Sequence, residues 1–120
     1  MVNTGGWSLQ IFYASKELEQ CFSDQRSIRQ ILPADWGRTL WKHLLHLKAA
    51  DCFGDILDLH LGRPEILKGY KQPHGSLRIA GNVRLIIRLE ATHFSIRDCT
   101  EIEVKGVCDY HGGKDNWYIR

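Results

Sequence analysis

The sequence predicts an α+β domain with an N-terminal strand and an αα-hairpin packed on one face of a curved antiparallel sheet. Three observations carry this: an alternating apolar run at residues 7–13, two helical patterns between Ser15 and Ala50, and three alternating strands beyond residue 75.

Taken in order, Trp7, Leu9, Ile11 and Tyr13 alternate with Ser8, Gln10 and Phe12, the period of a strand with one buried face. Ser15 is placed to cap a helix, because its hydroxyl can accept from an N–H of the first turn, and Glu17 and Glu19 suit the positive end of the helix dipole. Leu18, Cys21, Phe22, Ile28 and Leu32 fall near helical spacing, so a first helix is expected to about Leu32, with an interruption at Ser23-Asp24. Pro33 stops it. Asp35 is expected to cap a second helix, whose Leu40, Trp41, Leu44, Leu45 and Leu47 form an apolar stripe out to Ala50, with Trp36 and Trp41 as packing anchors. Phe53, Ile56, Leu57 and Leu59 then read as a turn or short helical piece.

Residues 76–80 and 83–89 form a hairpin about Gly81-Asn82, residues that tolerate positive φ. Register decides which face each side chain takes. A loop of Gly81-Asn82 alone, with regular pairing, puts Leu77 and Ile79 beside Arg84 and Arg88, mixing core with charge. A three-residue loop instead gathers Leu77, Ile79, Leu85 and Ile87 on one face and Arg78, Arg84 and Arg88 on the other, and this second register is the one expected. A strand or connection is expected at residues 93–96, with a turn near Asp98. In the last strand, Ile102 and Val104 alternate with Glu101, Glu103 and Lys105, which read as its solvent face. The run continues through Val107 and Cys108 to Asp109-Tyr110-His111 and ends at Gly112-Gly113. Residues 1–120 read as one domain, with 113–120 a short tail that docks through Trp117, Tyr118 and Ile119.

Apolar and charged fractions of 43% and 25% are those of an ordinary globular domain, and no apolar run reaches the length of a membrane span. The start, MVNTGGWSLQ, lacks the basic and apolar regions of an export signal, so a cytoplasmic protein without membrane association is expected. Four cysteines without a CxxC pair are expected to stay reduced. His43 and His46 lie one helical turn apart but lack a third ligand, and the sequence predicts no metal and no cofactor. Net charge is only +2, but residues 61–100 hold seven cations (Arg63, Lys68, Lys71, Arg78, Arg84, Arg88, Arg97) against three anions (Glu65, Glu90, Asp98). This basic stretch is either a solvated sheet face or a phosphate-binding one.

The segments IFYASKELEQ, Leu67-Lys68-Gly69, NVRLII and Asp109-Tyr110-His111, found in this order over roughly residues 11–113, resemble the RelE/HigB superfamily of bacterial toxins, particularly the HigB-like plasmid maintenance killer proteins. The resemblance implies a RelE-like fold and a type II toxin that cleaves mRNA on the ribosome and is silenced by a cognate antitoxin, usually a helix-turn-helix protein. It also implies that Lys68 and Arg84 hold the phosphate, and that Asp109, Tyr110 and His111 form an end-of-strand cluster. Glu65 stands where HigB-type toxins usually carry a histidine, three residues before the motif lysine.

Metal-independent RNA cleavage needs a base for the 2′-hydroxyl, cations for the crowded phosphate and an acid for the leaving 5′-oxygen. Glu65 is the candidate base, Lys68 and Arg84 the cations, His111 the acid, Tyr110 a stacking or donor group, and Asp109 an orienting group. Lys71, Arg78 and Arg88 are candidate RNA contacts. His74 could replace Glu65 as base only if the loop after Lys68 folds back. The alternative is an interaction protein on the same fold, either a toxin that binds its target, as the ParE branch binds gyrase, or a catalytically degenerate one.

Overall fold

The structure, a computed structural model, describes residues 8–91, 95–111 and 114–120, apart from the side chains of His111, Lys114 and Asp115. The described elements are β1 (Gln10–Tyr13), α1 (Lys16–Cys21), α2 (Gln25–Arg29), α3 (Ala34–Ala49), α4 (Phe53–Asp58), β2 (Glu65–Leu67), β3 (His74–Ala80), β4 (Val83–Leu89), β5 (Glu101–His111) and β6 (Lys114–Ile119), with a 3-10 turn at Ile96–Asp98. Among them, no helix is long and apolar enough to cross a membrane. Of residues 93–96, where a strand or connection was expected, 93 and 94 lie outside the described residues, and Ser95 and Ile96 open the 3-10 turn.

The first helical stretch breaks where the sequence indicates. Ser15 Oγ accepts from the Leu18 N–H at 3.1 Å to start α1, and Asp24 Oδ1 accepts from the Ser27 N–H at 2.8 Å to start α2. A second cap inside one apolar pattern forces a second start. Asp35 is not the cap of α3: Pro33 occupies that position in extended conformation, and Asp35 falls in the first turn, where its charge still favours the dipole. The short helical piece after Ala50 is α4.

The sheet order is β1-β5-β4-β3-β2, and β6 pairs with β5. It is mixed rather than antiparallel, because β1 runs parallel to β5, with Gln10 opposite Glu101 and Tyr13 opposite Val104. Only strands joined by a tight hairpin must be antiparallel, and between β1 and β5 the chain passes through four helices and three strands. The tail is a strand too. While β4 occupies one edge of β5, β1 takes the other edge over residues 101–104 and β6 takes it over residues 107–111. Tyr118 on β6 meets Trp36 of α3 edge to face at 5.2 Å between centroids, which gives the expected docking its contact.

In the β3–β4 hairpin the apolar faces are as the sequence predicts, but the device differs. Ala80 pairs with Val83 across a two-residue Gly81-Asn82 turn, and Ile79 is then bulged out of register so that Leu77 meets Leu85 and Arg78 meets Arg84. Sliding the strand without a bulge would move Leu77 and Ile79 off the core, forfeiting about 1.5–3 kcal/mol for each side chain, and one unpaired ladder residue costs less. A second bulge in β5, at Lys105 and Gly106, resets the alternation so that Val104 and Val107 both face the core.

All helices lie on one face. Leu77, Ile79, Leu85, Ile87, Ile102 and Val104 are buried there with Leu18, Phe22, Leu40, Leu44, Phe53 and Ile56 in one apolar cluster. The four cysteines form no disulfide with one another, and Cys21, Cys99 and Cys108 are buried.

Candidate functional site

The sheet face turned away from the helices carries most of the sequence-predicted residues. A Cβ on Gly75 would touch Phe53 and Ile87, so position 75 faces the helices and its neighbours His74 and Ser76 face the other way. On β4 the same alternation sends Arg84, Ile86 and Arg88 to that outer face. The face is not bare: Ile86 and Cys108 are fully buried with Leu67 in a second apolar cluster, against which Tyr110 and Trp117 pack. Polar groups flank this apolar strip at both ends.

At one end, Arg84 Nη1 donates to Glu65 Oε1 at 3.3 Å; the Arg84 side chain is 16% exposed and that of Glu65 58%. Pairing β2 with β3 places Glu65 opposite Ser76, and β4 brings Arg84 alongside, so two residues nineteen apart in sequence meet across the sheet. Arg84 Nε is buried and has no hydrogen-bond partner among the described residues, as is Ser76 Oγ. Arg78 stands opposite Arg84. A carboxylate this exposed binds its arginine by only about 0–1 kcal/mol, so an incoming phosphate can displace it at little cost.

At the other end, Arg88 donates through Nε to Glu103 Oε1 at 3.1 Å and through Nη1 to Glu90 Oε2 at 3.3 Å, and Lys105 Nζ lies 3.5 Å from Glu103. Burial works against the Arg88 charge, but these carboxylates outweigh it and hold its pKa above the ordinary value. Burial likewise pushes Glu103 up, and Arg88 with Lys105 more than reverses it, holding that carboxyl below its usual range. Glu103 and Lys105, expected as a solvent face, are half-buried members of this network. Arg88 therefore differs from Arg84: two carboxylates already occupy its fork.

No protein-family model, no curated protein and no solved structure matches this chain. The geometry alone therefore sorts the remaining candidates. Lys68 and Lys71 are exposed in the loop between β2 and β3, and neither they nor Arg78 forms an ion pair among the described residues. Tyr110 lies on the outer face, and its N–H donates to the Asn82 carbonyl at 2.8 Å. Asp109 does not join it: it pairs with Val83, whose side chain lies in the helix-side cluster, so one step of alternation turns Asp109 to the opposite face. Its Oδ1 is buried without a partner among the described residues. His111 ends β5 opposite Lys114, and its side chain lies outside the described residues.

The loop after Lys68 does fold back. It returns His74 to a position opposite Leu67 on one side and Arg88 on the other, and the His74 ring stacks on Tyr70 with centroids 3.8 Å apart and planes 15° from parallel. Nδ1 donates to the Gln72 carbonyl at 2.9 Å, which leaves Nε2 as the acceptor nitrogen of the neutral ring. Burial lowers the His74 pKa, the Gln72 bond opposes this, and Lys105 and Arg88 lower it further. The sequence reading missed the Tyr70–His74 pair; its one available signal was two aromatic rings four residues apart in a loop otherwise basic and polar.

Proposed function

We infer that this chain is a RelE/HigB-like toxin: a cytoplasmic, metal-independent endoribonuclease that cleaves mRNA on the ribosome and is neutralised by a cognate antitoxin, which the resemblance makes a helix-turn-helix protein. The observation that carries the reading is the Glu65–Arg84 pair on the outer sheet face, beside Arg78 and on the same face as Tyr110. In this reading a phosphate takes the Arg84 fork and Glu65, released, accepts the 2′-hydroxyl proton. The 2′-oxygen attacks phosphorus, the bond to the 5′-oxygen breaks, and His111 protonates that oxygen. Lys68 and Lys71 contribute charge from the adjoining loop.

A second reading has its own support. Arg88 is engaged by two carboxylates and Asp109 is turned away, so fewer groups than expected face a phosphate, as suits a protein that acts by binding a partner.

The deciding experiment is translation-dependent mRNA cleavage on purified ribosomes. Wild type is expected to cleave. Arg84→Ala is expected to lose on the order of a hundredfold in rate, the scale of about 3 kcal/mol of transition-state charge stabilisation, and His111→Ala to lose activity as well, both with unchanged circular dichroism. Glu65→Gln should retain measurable cleavage, since it also removes the carboxylate that competes with phosphate for Arg84. No cleavage by wild type would favour the binding-protein reading.

A further inference from the structure

We propose that Tyr70, backed by His74, is a stacking platform for a nucleobase of single-stranded RNA, a subsite separate from the Glu65–Arg84 pair. The inference rests on the RNA-directed reading above and adds to it the place where a base is held.

The platform is built rather than incidental. Tyr70 belongs to the loop Lys68-Gly69-Tyr70-Lys71-Gln72, in which cations alternate with an aromatic ring. Gly69 takes φ +93, a conformation that costs glycine nothing and that turns the chain back over β3. The rings of Tyr70 and His74 are stacked at 3.8 Å and 15°, and His74 is fixed by the β3 ladder and its bond to the Gln72 carbonyl. Tyr70 is thereby held in one orientation while 38% of it remains exposed. A pre-ordered, half-exposed ring loses little further freedom when a flat ligand is laid on it.

Charge defines the ligand class. Lys68 and Lys71 flank the ring and are exposed, and neither forms an ion pair among the described residues, so a π-faced ligand that also carries phosphate meets both requirements. Every nucleobase has a π-face, so the subsite is indifferent to sequence. It is also distinct from the pair at Arg84. His74 stands opposite Arg88, four residues along β4 from Arg84, which at the rise of a strand is roughly 13 Å. A nucleotide chain can therefore occupy both places at once.

The test is fluorescence anisotropy with a short labelled single-stranded RNA, alongside the same RNA bearing one abasic position moved along its length. Tyr70→Leu is expected to weaken binding by roughly 5- to 150-fold and Tyr70→Phe by less than about twofold. At one position the abasic RNA should bind wild type more weakly by a similar factor, and that penalty should vanish in Tyr70→Leu. Circular dichroism establishes that both variants fold. An abasic penalty of equal size in wild type and Tyr70→Leu would overturn the platform; if Arg84→Ala still abolishes cleavage on ribosomes, the ribonuclease reading survives that result. Absence of RNA binding by the wild-type protein would likewise overturn the platform, while cleavage on ribosomes still decides the ribonuclease reading.

Discussion

His43 is the side chain whose perturbation should be felt most widely, because it joins three parts of the chain. Its ring is buried in α3, its Nε2–H donates to the Arg78 carbonyl at 2.7 Å, and the loop into β2 is wrapped so closely around it that a Cβ on Gly62 would lie 2.7 Å from Cε1. Gly62 takes φ +70 there. Replacing His43 by alanine leaves the Arg78 carbonyl, at the bulge of β3, without its donor, which costs about 1–3 kcal/mol, and opens a cavity on top of that. The sum is about 3–5 kcal/mol, a large share of a small domain's stability.

The same site predicts a pH dependence with a definite sign. Burial lowers the His43 pKa from 6.5, the Arg78 bond partly opposes it, and the charges of His46 and Lys42 lower it further. Nδ1 is buried with no partner among the described residues, so a proton added there would find no acceptor. The unfolded chain therefore binds more protons than the folded one below pH 6.5. Stability from this group is fully present above that value and is lost as pH falls through the depressed folded pKa, with a slope of up to about 1.4 kcal/mol per pH unit. His43→Gln keeps an N–H donor but cannot titrate. In urea unfolding between about pH 5 and 8, wild type should be the more stable at the top of the range, and the gap to His43→Gln should close towards the bottom. His74 contributes with the same sign but is present in both proteins, so it cancels in the difference. A gap that does not change with pH, or a His43→Ala variant that loses less than about 1 kcal/mol, would refute the reasoning.

Two further predictions concern the sheet. Gly106 sits at the β5 bulge with φ +138, where a Cβ would come within 2.2 Å of the Ile119 carbonyl oxygen, so Gly106→Ala should cost at least about 2 kcal/mol and loosen β6, read as lowered thermal stability and faster amide exchange at residues 107–111; unchanged exchange would contradict the bulge. Removing residues 114–120 strips β5 of its partner along residues 107–111 and Trp36 of its contact with Tyr118, so the shortened chain should unfold at lower urea and associate through the freed edge; a monomer of wild-type stability by ultracentrifugation and urea titration would contradict this.

Much of this protein is legible in residue order alone, because local chemistry decides it. Ser15 and Asp24 supply caps, Pro33 ends a helical pattern, and the alternation of Leu77, Ile79, Leu85 and Ile87 with arginines settles which face is buried, since no other arrangement removes those side chains from water. What the residue order left open depended on distant partners. The direction of β1 relative to β5 depends on the long connection between them, which permits either direction, and residues 114–120 become a strand only because β5 offers an unpaired edge. Local pattern could indicate that Leu77 and Leu85 share a face, but whether a longer turn or a bulge at Ile79 achieves it depends on how β3 sits against α3 and its His43. At the candidate site, the outward placement of Arg78, Arg84 and Arg88 was readable from period two. That Glu65 would meet Arg84, that Glu90 and Glu103 would occupy Arg88, that Asp109 would turn inward and that Tyr70 would stack on His74 are outcomes of strand register and loop closure, which tertiary packing alone determines.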